Sequence, residues 1–323
     1  MKKQLSLAAN EFERFRKPTR REQFLAEMDA VVPWKELAAL IEPYYPKARS
    51  AGGRPPAGLE RMLRIHCLQL WFNLCDPALE EALYDSRAMR AFVGIDLGRE
   101  PVPDETTVMR FRHLLEAYKL GEQIFAEVGR LLMQRGLRLS KGTIVDATII
   151  AAPSSTKNAQ GSRDPQMHQT KKGNEWHFGM KAHVGVDSRS KLIHSVVVTP
   201  ANTADCKIMG QLLHGQQRRV YGDQAYKSQG EVIRAKAPEA RDFTNRQCKW
   251  QHFIDEAIKA KNRAKSRIRC RVEHSIGVIK QVFGFRKVRY RGLAKNANRL
   301  FVTAALANVF LVRYSLLGAV RPQ

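Results

Sequence analysis

The distribution of apolar residues divides the chain near residue 138. Before that point, apolar positions recur every third or fourth residue, which is the spacing of an amphipathic α-helix. The segments with this spacing are residues 32–41, 59–73, 76–94 and 101–137, the last with a break near Gly121. Pro33 stands where a helix is expected to begin, as do Asp76, an expected N-cap, and Pro77. We therefore predict an all-α N-terminal domain over residues 1–138.

From residue 140 onward the pattern is that of strands separated by helices. Residues 142–152, GTIVDATIIAA, are β-branched or small and apolar, which is typical of a strand buried on both faces. A polar loop is predicted at 154–174, strands at 176–186, 192–199 and 219–224, helices at 204–214 and 229–235, and one or two basic helices at 253–283. This order predicts an α/β domain over residues 139–323.

Three carboxylates stand at distinctive places in the α/β domain. Asp146 lies inside the first apolar strand, where an acid is costly to bury unless a metal or a hydrogen-bond network compensates it. Asp223 ends the strand RVYGD, and open α/β sheets bind ligands at strand ends. Glu273 lies on a basic helix, beside an apolar stripe and near the faces of Arg269 and Lys280. The structural alternatives are a turn cap or an arginine pair for Asp146, and an ordinary intrahelical ion pair for Glu273.

Together the three acids suggest a metal centre. Carboxylate oxygens suit Mg²⁺ or Mn²⁺, and two such ions about 4 Å apart can stabilise the attacking and leaving oxygens of a phosphoryl displacement. The cysteines offer no alternative centre, because the five are scattered and form no CxxC pair. They indicate a reducing, cytoplasmic setting.

The charge of the chain points to a polyanionic partner. Lysine and arginine total 55 against 31 acids, a formal charge of +24, and the isoelectric point is near 10.2. Nucleic acid is the expected partner, with a membrane surface as the alternative. No basic amphipathic anchor or signal peptide is recognised, and the apolar tail at residues 300–320 is expected to be a buried core helix.

Several blocks of the chain, taken in order, resemble a known family. They are VDATIIAAP, WHFGMKAHVGVDS, VTPANTAD, YGDQAY and RCRVEHSIGVIKQVFGFRKVRYRG. Together they resemble the IS-five family of bacterial insertion-sequence transposases, which belong to the Asp-Asp-Glu (DDE) class and have a ribonuclease H-like catalytic core. The resemblance covers residues from about 140 to 312, and residues from about 30 to 115 are similar to the helical N-terminal region of that family.

The resemblance implies roles for individual residues. The two aspartates of the class fall on Asp146 and Asp223, and its glutamate falls on Glu273. Related transposases carry the spacing Tyr, two residues, Arg, three residues, Glu, six residues, Lys, which Arg269, Glu273 and Lys280 match. Ser266 replaces the tyrosine, so no role is carried over to that position. Arg269 and Lys280 are thereby expected to contact the transposon end.

Other residues are candidates for DNA contact. His177 and Lys181 alternate with Gly179 and His183 on one face of a predicted strand, which could instead be an ordinary exposed face. The residues Arg286, Lys287, Arg289, Tyr290 and Arg291 mix cations with an aromatic ring, as nucleic-acid surfaces do, although a solvated loop has the same composition.

Two further groups have an open interpretation. Asn202 and Asp205 are expected to cap the following helix, with Asp205 as a fourth metal ligand as the alternative. Thr106, Thr107, Arg110 and Arg112 could form part of a helix-turn-helix, but the solvated face of a bundle helix is the preferred interpretation.

These observations predict a DNA transposase with two Mg²⁺ or Mn²⁺ ions per active site. It would bind the terminal inverted repeats of an insertion sequence, cut at the ends and join the 3′-hydroxyl to target DNA. We expect at least a homodimer on DNA, in the bacterial cytoplasm and associated with the nucleoid. The alternatives are a metal-dependent nuclease without strand transfer and a DNA-binding protein without catalysis.

Overall fold

The structure is a computed structural model that describes residues 17–47, 56–137, 141–159, 161–250 and 253–320. The chain divides into two compact units. One comprises Met1–Glu127 with Val312–Gln323, and the other comprises Val128–Leu311. The boundary predicted between residues 138 and 139 lies outside the described residues.

Helices account for the regular structure of the N-terminal part, as the apolar spacing predicted. They are α1 (Arg20–Val31), α2 (Trp34–Ile41), α3 (Leu59–Trp71), α4 (Asp76–Asp85), α5 (Arg87–Val93), α6 (Glu105–Ala117) and α7 (Leu120–Gln134). The single helix predicted at 76–94 is two helices, because Ser86 leaves the helical conformation and its hydroxyl accepts from the Met89 N–H to begin α5.

Local capping fixes where several of these helices begin. Thr19 and Glu22 form a reciprocal capping box at the start of α1. The Asp104 carboxylate accepts a 2.7 Å hydrogen bond from the Thr107 N–H and caps α6. The hydrogen bonds from Thr107 lower the pKa of Asp104, since they favour its ionised form. Asp76 is the first residue of α4, and the N-cap is Cys75. The capping role predicted for Asp76 was therefore wrong.

The second unit is built on one six-stranded mixed sheet. Its strands are β1 (Gly142–Ala151), β2 (His168–Lys172), β3 (Glu175–Asp187), β4 (Ile193–Pro200), β5 (Arg219–Tyr221) and β6 (Arg241–Asp242). The order is β2-β3-β1-β5-β6, with β4 also paired to β3. The pairs β1–β3 and β3–β4 are antiparallel, whereas β5 runs parallel to both β1 and β6. The hairpin predicted from residues 176–199 is therefore confirmed.

The remaining elements lie between these strands in the chain or follow them. They are α8 (Met209–Leu212), α9 (Gly230–Lys236), a short pair β7 (Lys249–Trp250) and β8 (Phe253–Ile254), α10 (Glu256–Arg269), α11 (Val272–Gly277) and α12 (Leu293–Val320). A π-helical turn, Val278–Val282, continues α11. An all-helical region followed by a mixed sheet with flanking helices is the ribonuclease H-like arrangement, and the predicted fold class is confirmed.

Two local predictions were wrong. The polar segment at 154–174 contains a strand, β2, which pairs with β3 from His168 to Lys172 and carries no apolar pattern because both faces are largely exposed. The helix predicted at 204–214 is a 3₁₀ turn, Asp205–Ile208, followed by the four residues of α8.

α12 contains a segment, Leu293–Gly318, that is long and apolar enough to cross a membrane by length and composition. Its central residues are packed inside the protein, and Leu300, Ala304 and Ala307 are fully buried. The buried Asn308 side chain accepts from the Ile193 N–H at 2.8 Å and donates to the Ile193 carbonyl at 2.7 Å. Core packing of this kind explains the apolar composition of the helix.

Candidate active site

Asp146 lies in β1 directly after four buried residues, Gly142–Val145. It lies in β1 opposite Val184 of β3, and its side chain is 19% exposed. One carboxylate oxygen, Oδ1, accepts a 2.8 Å hydrogen bond from the Ala147 N–H. The other, Oδ2, lies 3.1 Å from Nη1 of Arg269. The arginine pair that was the structural alternative for Asp146 is therefore present.

The arginine does not fully compensate the buried charge of Asp146. Burial raises the pKa of Asp146, and the negative charges of Asp223 and Asp205 raise it further. The Ala147 N–H and the Arg269 guanidinium act in the opposite direction but do not offset these effects. The ionised form of Asp146 is therefore disfavoured mainly by burial, and a bound cation would favour it.

Asp223 lies two residues after Tyr221, where β5 ends; the strand predicted at 219–224 is therefore shorter, and Asp223 is the N-cap of a 3₁₀ turn, Gln224–Tyr226. Its carboxylate Oδ1 accepts a 2.9 Å hydrogen bond from the Ala225 N–H. Gly222 allows close packing beside it, because a Cβ at that position would lie 3.1 Å from the side chains of both Val145 and Tyr226. Since β5 runs parallel to β1, Asp223 follows the end of the strand next to the one that carries Asp146.

Glu273 lies on α11, and its side chain is exposed. Arg269 reaches Asp146 on β1, and Lys280 donates to Thr148 Oγ1 at 3.1 Å and to the Ile149 carbonyl at 2.9 Å. Among the residues that the structure describes, neither cation pairs with Glu273, and the intrahelical ion pair that was its alternative is not found. Glu273 stands in the sequence between two residues that both reach the same strand.

The three carboxylates fit a divalent cation by their chemistry. Within the described residues, no three His, Cys, Asp or Glu side chains are close enough to form a ready metal site. Asp146 and Asp223 nevertheless supply oxygen ligands of the kind that Mg²⁺ and Mn²⁺ prefer, and their charges repel each other. These two residues, with Glu273 from the helix that reaches β1, are those that could hold such an ion.

Asp205 belongs to a polar network beside these acids. Its Oδ1 accepts a 2.8 Å charged hydrogen bond from Lys181 Nζ, which also donates to the Thr203 carbonyl at 2.8 Å. The Asp205 side chain makes no capping hydrogen bond to its 3₁₀ turn, so the expected capping role was wrong. Lys181, a predicted DNA contact, thus has partners within the protein.

His183 is buried next to this network. Its Nε2 lies 2.8 Å from Thr199 Oγ1, and its Nδ1 lies 3.9 Å from Asp205 Oδ1. Burial lowers the pKa of His183 to about 4, although the charge of Asp205 acts in the opposite direction. The imidazole is therefore neutral at pH 7 and works as a hydrogen-bonding core residue.

Tyr226 is a candidate that the sequence reasoning missed. Its side chain is 1% exposed, and its hydroxyl is buried without a hydrogen-bond partner among the described residues. Burial raises the pKa of Tyr226, and the charges of Asp205, Asp146 and Asp223 raise it further. The sequence feature that could have revealed Tyr226 is its position three residues after Asp223 in YGDQAY.

The predicted basic cluster lies at the C-terminal end of β1. Ala151 and Lys287 form a bridge, with hydrogen bonds from the Ala151 N–H to the Arg286 carbonyl and from the Val288 N–H to the Ala151 carbonyl. The side chains of four cations here are exposed, namely Arg286, Lys287, Arg289 and Arg291. Lys280 is next to them, and burial together with the positive charges of Lys172 and Arg286 lowers its pKa.

Two other predicted contacts have different surroundings. His177 on β3 is half-buried, and its Nε2 lies 3.8 Å from Glu175 Oε2. In the first unit, Arg112 is 7% exposed and pairs with Asp76 at 2.5 Å. A buried arginine cannot read bases, so Arg112 is neither part of a recognition surface nor part of a solvated helix face.

The fold and these residues together define the class of the protein. A mixed sheet of ribonuclease H-like order, with one acid on a central strand, one just after the adjacent parallel strand and a third on a following helix, is the arrangement of nucleic-acid-processing domains. Residues 138–309 match the family described as the transposase DDE domain, and residues 13–114 match the transposase domain DUF772. The chain therefore belongs to the DDE transposases. The family acts on DNA and depends on a divalent metal ion.

Proposed function

We propose that this transposase binds the terminal inverted repeats of an insertion sequence, cuts DNA at those ends and joins the freed 3′-hydroxyl to target DNA. The observation that carries the proposal is the half-buried Asp146, whose charge is disfavoured by burial and by neighbouring Asp223 despite the pair with Arg269. Burial is the main cause of the raised pKa, the pair with Arg269 does not outweigh it, and a bound cation would favour the ionised form of Asp146.

In the proposed mechanism Asp146, Asp223 and Glu273 hold two Mg²⁺ or Mn²⁺ ions. The ions, when bound, would activate water or a 3′-hydroxyl and stabilise the leaving oxygen. Arg269 fixes the orientation of the Asp146 carboxylate through the contact to Oδ2. The Ala147 N–H holds Oδ1, and the Ala225 N–H holds the Asp223 carboxylate, so both acids are oriented before any ligand binds.

DNA phosphates would be held by the cations around these acids. We assign this role to Arg269, Lys280, His177 and Lys181, and to the exposed cluster Arg286, Lys287, Arg289 and Arg291. The exposed cluster supports the assignment best. Its residues are exposed and lie at the C-terminal end of β1, the strand that carries Asp146. Lys181 supports it least, since Asp205 and Thr203 already occupy its ammonium group.

The finer identity of the protein is part of the same proposal. We infer that it belongs to the IS-five group, acts as at least a homodimer on paired ends, and works in the bacterial cytoplasm without a membrane. We also propose that residues 1–138 bind DNA or mediate dimerisation and that residues 139–323 form the catalytic domain. The helical region and the mixed sheet, which match two separate transposase families, support this division.

The test is an incubation of the purified protein with labelled DNA carrying the element's own ends and with a supercoiled target, in Mg²⁺, Mn²⁺ or EDTA. Metal-dependent nicking at the ends with joined products is the expected result. Asp146→Asn, Asp223→Asn and Glu273→Gln should each lower cutting by about a thousandfold or more, because metal ligation provides several kcal/mol at the transition state. Binding to the ends in EDTA should remain.

Three results would overturn the proposal in different ways. Cutting without end preference or joining would indicate a metal-dependent nuclease. Tight binding to the ends without cutting in any metal would indicate a DNA-binding protein without catalysis. Full cutting by Asp146→Asn would remove Asp146 from the metal site.

A further inference from the structure

The end of the sheet opposite the cluster at Ala151 carries a second concentration of positive charge. A concave pocket of about 490 Å³ opens where β1 and β5 begin and β3 ends. Five cations line it, and this set is called the basal pocket below: Lys141, Arg189, Arg218, Arg219 and Arg271. They come from four separate segments of the chain, so the fold and not a local basic run brings them together.

The charges of the basal pocket are not neutralised by the protein. Among the described residues, the side chains of Lys141, Arg189, Arg218 and Arg219 have no ion-pair partner and are exposed. Arg271 is anchored, because its Nη1 donates to the Ser188 carbonyl at 2.7 Å. Like charges in one concavity repel each other, and an anionic ligand would offset that cost.

Asp187, the carboxylate among the lining residues, does not serve these cations. It is 1% exposed, and its Oδ1 accepts from the backbone N–H groups of Arg189 and Ser190 at 2.8 and 2.7 Å. The Ser190 hydroxyl donates to the same oxygen at 3.0 Å. This carboxylate shapes the turn between β3 and β4, and it leaves the side chains of the cations free for a ligand.

The lining also indicates which part of a nucleic acid would bind. Tyr221, the aromatic residue in the pocket lining, is 4% exposed and stacked on Phe243, with ring centroids 5.2 Å apart. The pocket therefore presents no exposed ring on which a base could stack. Flexible cations without a stacking surface contact phosphates, which gives binding without sequence readout.

The cations at the start of β1 and β5 lie away from the acids, whereas Tyr221 and Arg271 in the opposite part of the lining are only two residues from Asp223 and Glu273. Gly142 in its lining is four residues before Asp146 on β1, a distance of about 13 Å along an extended strand. Arg219 likewise precedes Asp223 by four residues. DNA held here would lie beyond the reacting phosphate, on the side away from the cluster at Lys287.

We propose that the basal pocket is a phosphate-binding site for the backbone of duplex DNA, separate from the active site. This inference rests on the proposed function only because it takes DNA as the ligand. The DNA could be the flank of the element end or the target duplex, since both present the same phosphates. Sequence-independent contact at this distance would hold the duplex in place while the chemistry occurs elsewhere.

The test measures DNA affinity against NaCl concentration in EDTA, so that no cutting interferes. The variants are the triple substitution Lys141→Gln, Arg218→Gln and Arg219→Gln, and the double substitution Lys141→Gln with Arg189→Gln, which spares the residues of β5. The control is Lys236→Gln with Lys259→Gln, which removes two lysines that do not line the pocket. Two labelled duplexes are used, one with the element end and one of unrelated sequence.

Each lost phosphate contact lowers the slope of log affinity against log salt by about 0.9. We expect the triple variant to lose about two to three units of slope and the double variant about one to two, with the control unchanged. Loss only on the element-end duplex would assign the pocket to the end, and loss on both duplexes would assign it to DNA in general, including the target. Wild-type slopes for both variants on both duplexes would overturn the proposal.

The failure of this proposal is distinguishable from failure of the proposed function. Joining of the DNA ends is measured with the wild-type protein in the presence of a divalent metal ion. The contribution of the basal pocket is measured as DNA affinity in EDTA. A wild type that binds DNA but does not join it would overturn transposition and leave the pocket test valid. A wild type that binds neither duplex would overturn both.

Discussion

Nη1 of Arg269 lies 3.1 Å from Oδ2 of Asp146, although 123 residues separate them in the chain. The contact ties the basic helix α10 to the central strand β1 and orients the acid whose charge is least favoured. The two residues are functionally linked, because the arginine lowers the pKa of Asp146 while burial and Asp223 raise it. Several predictions depend on this balance.

Asp146→Asn should not destabilise the protein in EDTA at neutral pH. The pKa of Asp146 is raised on folding, so its ionisation lowers the free energy of unfolding as the pH rises above the unfolded value of 3.8. The asparagine removes that cost, and its melting temperature should equal or exceed that of the wild type. Mg²⁺ should raise the melting temperature of the wild type only. A lower melting temperature for the variant in EDTA would contradict the charge balance described here.

Arg269→Gln should move the acidic limb of the pH–rate profile to higher pH. The substitution removes a positive charge that lowers the pKa of Asp146. The pKa therefore rises, and the carboxyl group loses its proton at a higher pH. Lys280→Gln is the matched control, because that ammonium group contacts Thr148 and Ile149 instead of Asp146. An unshifted profile in Arg269→Gln would mean that the protonation of Asp146 does not limit the rate.

His183 should make folding stability sensitive to acid. Its pKa falls from 6.5 to about 4 on folding, so the unfolded chain binds the proton more tightly. The stabilisation is complete above pH 6.5 and is lost as the pH falls towards 4, a total of about 3 kcal/mol. Urea unfolding at several pH values should show a smaller loss between pH 7 and 5 in His183→Gln than in the wild type. The exchange His177→Gln, at a half-buried site, should leave the loss unchanged.

Arg112→Ala should strongly destabilise the helical unit. The guanidinium is 8% exposed and lies 2.5 Å from Asp76 Oδ1, which also accepts from Gln69 at 2.6 Å. Removing one partner of such a pair costs roughly 3–5 kcal/mol, since the other charge is left uncompensated. Arg110→Ala, on the exposed face of the same helix, should change stability by less than about 0.5 kcal/mol. Equal effects in chemical denaturation would show that the pair is not important for folding.

Tyr226→Phe should be neutral or stabilising in EDTA. The hydroxyl is buried and has no hydrogen-bond partner among the described residues, so its removal relieves a desolvation cost. The ring itself belongs to the same core cluster as Val145, lies close to Gly222 and is retained. A melting temperature several degrees below that of the wild type would mean that the hydroxyl has a partner that stabilises the fold. Tyr226→Leu, which removes the ring, should be clearly destabilising.

The sequence by itself determined the helical and mixed α/β regions and indicated the three acids as candidates for a metal site. Helical spacing in residues 59–73 and the apolar run around Asp146 are local properties, so no knowledge of distant partners was needed. The strand end at Asp223 followed from the same reasoning. Where local patterning was weak, prediction failed, as at β2, whose exposed strand owes its pairing to β3.

Only the tertiary structure decided which charged groups meet. The pairing of Asp146 with Arg269, of Asp205 with Lys181 and of Arg112 with Asp76 joins residues 24 or more positions apart. The same holds for the basal pocket and for the charges around Tyr226. A charged side chain can reach many partners from its place in a sequence, and only the packing of strands and helices selects one. Periodicity fixes the faces of the elements, whereas the electrostatics of the site depends on how those elements are packed.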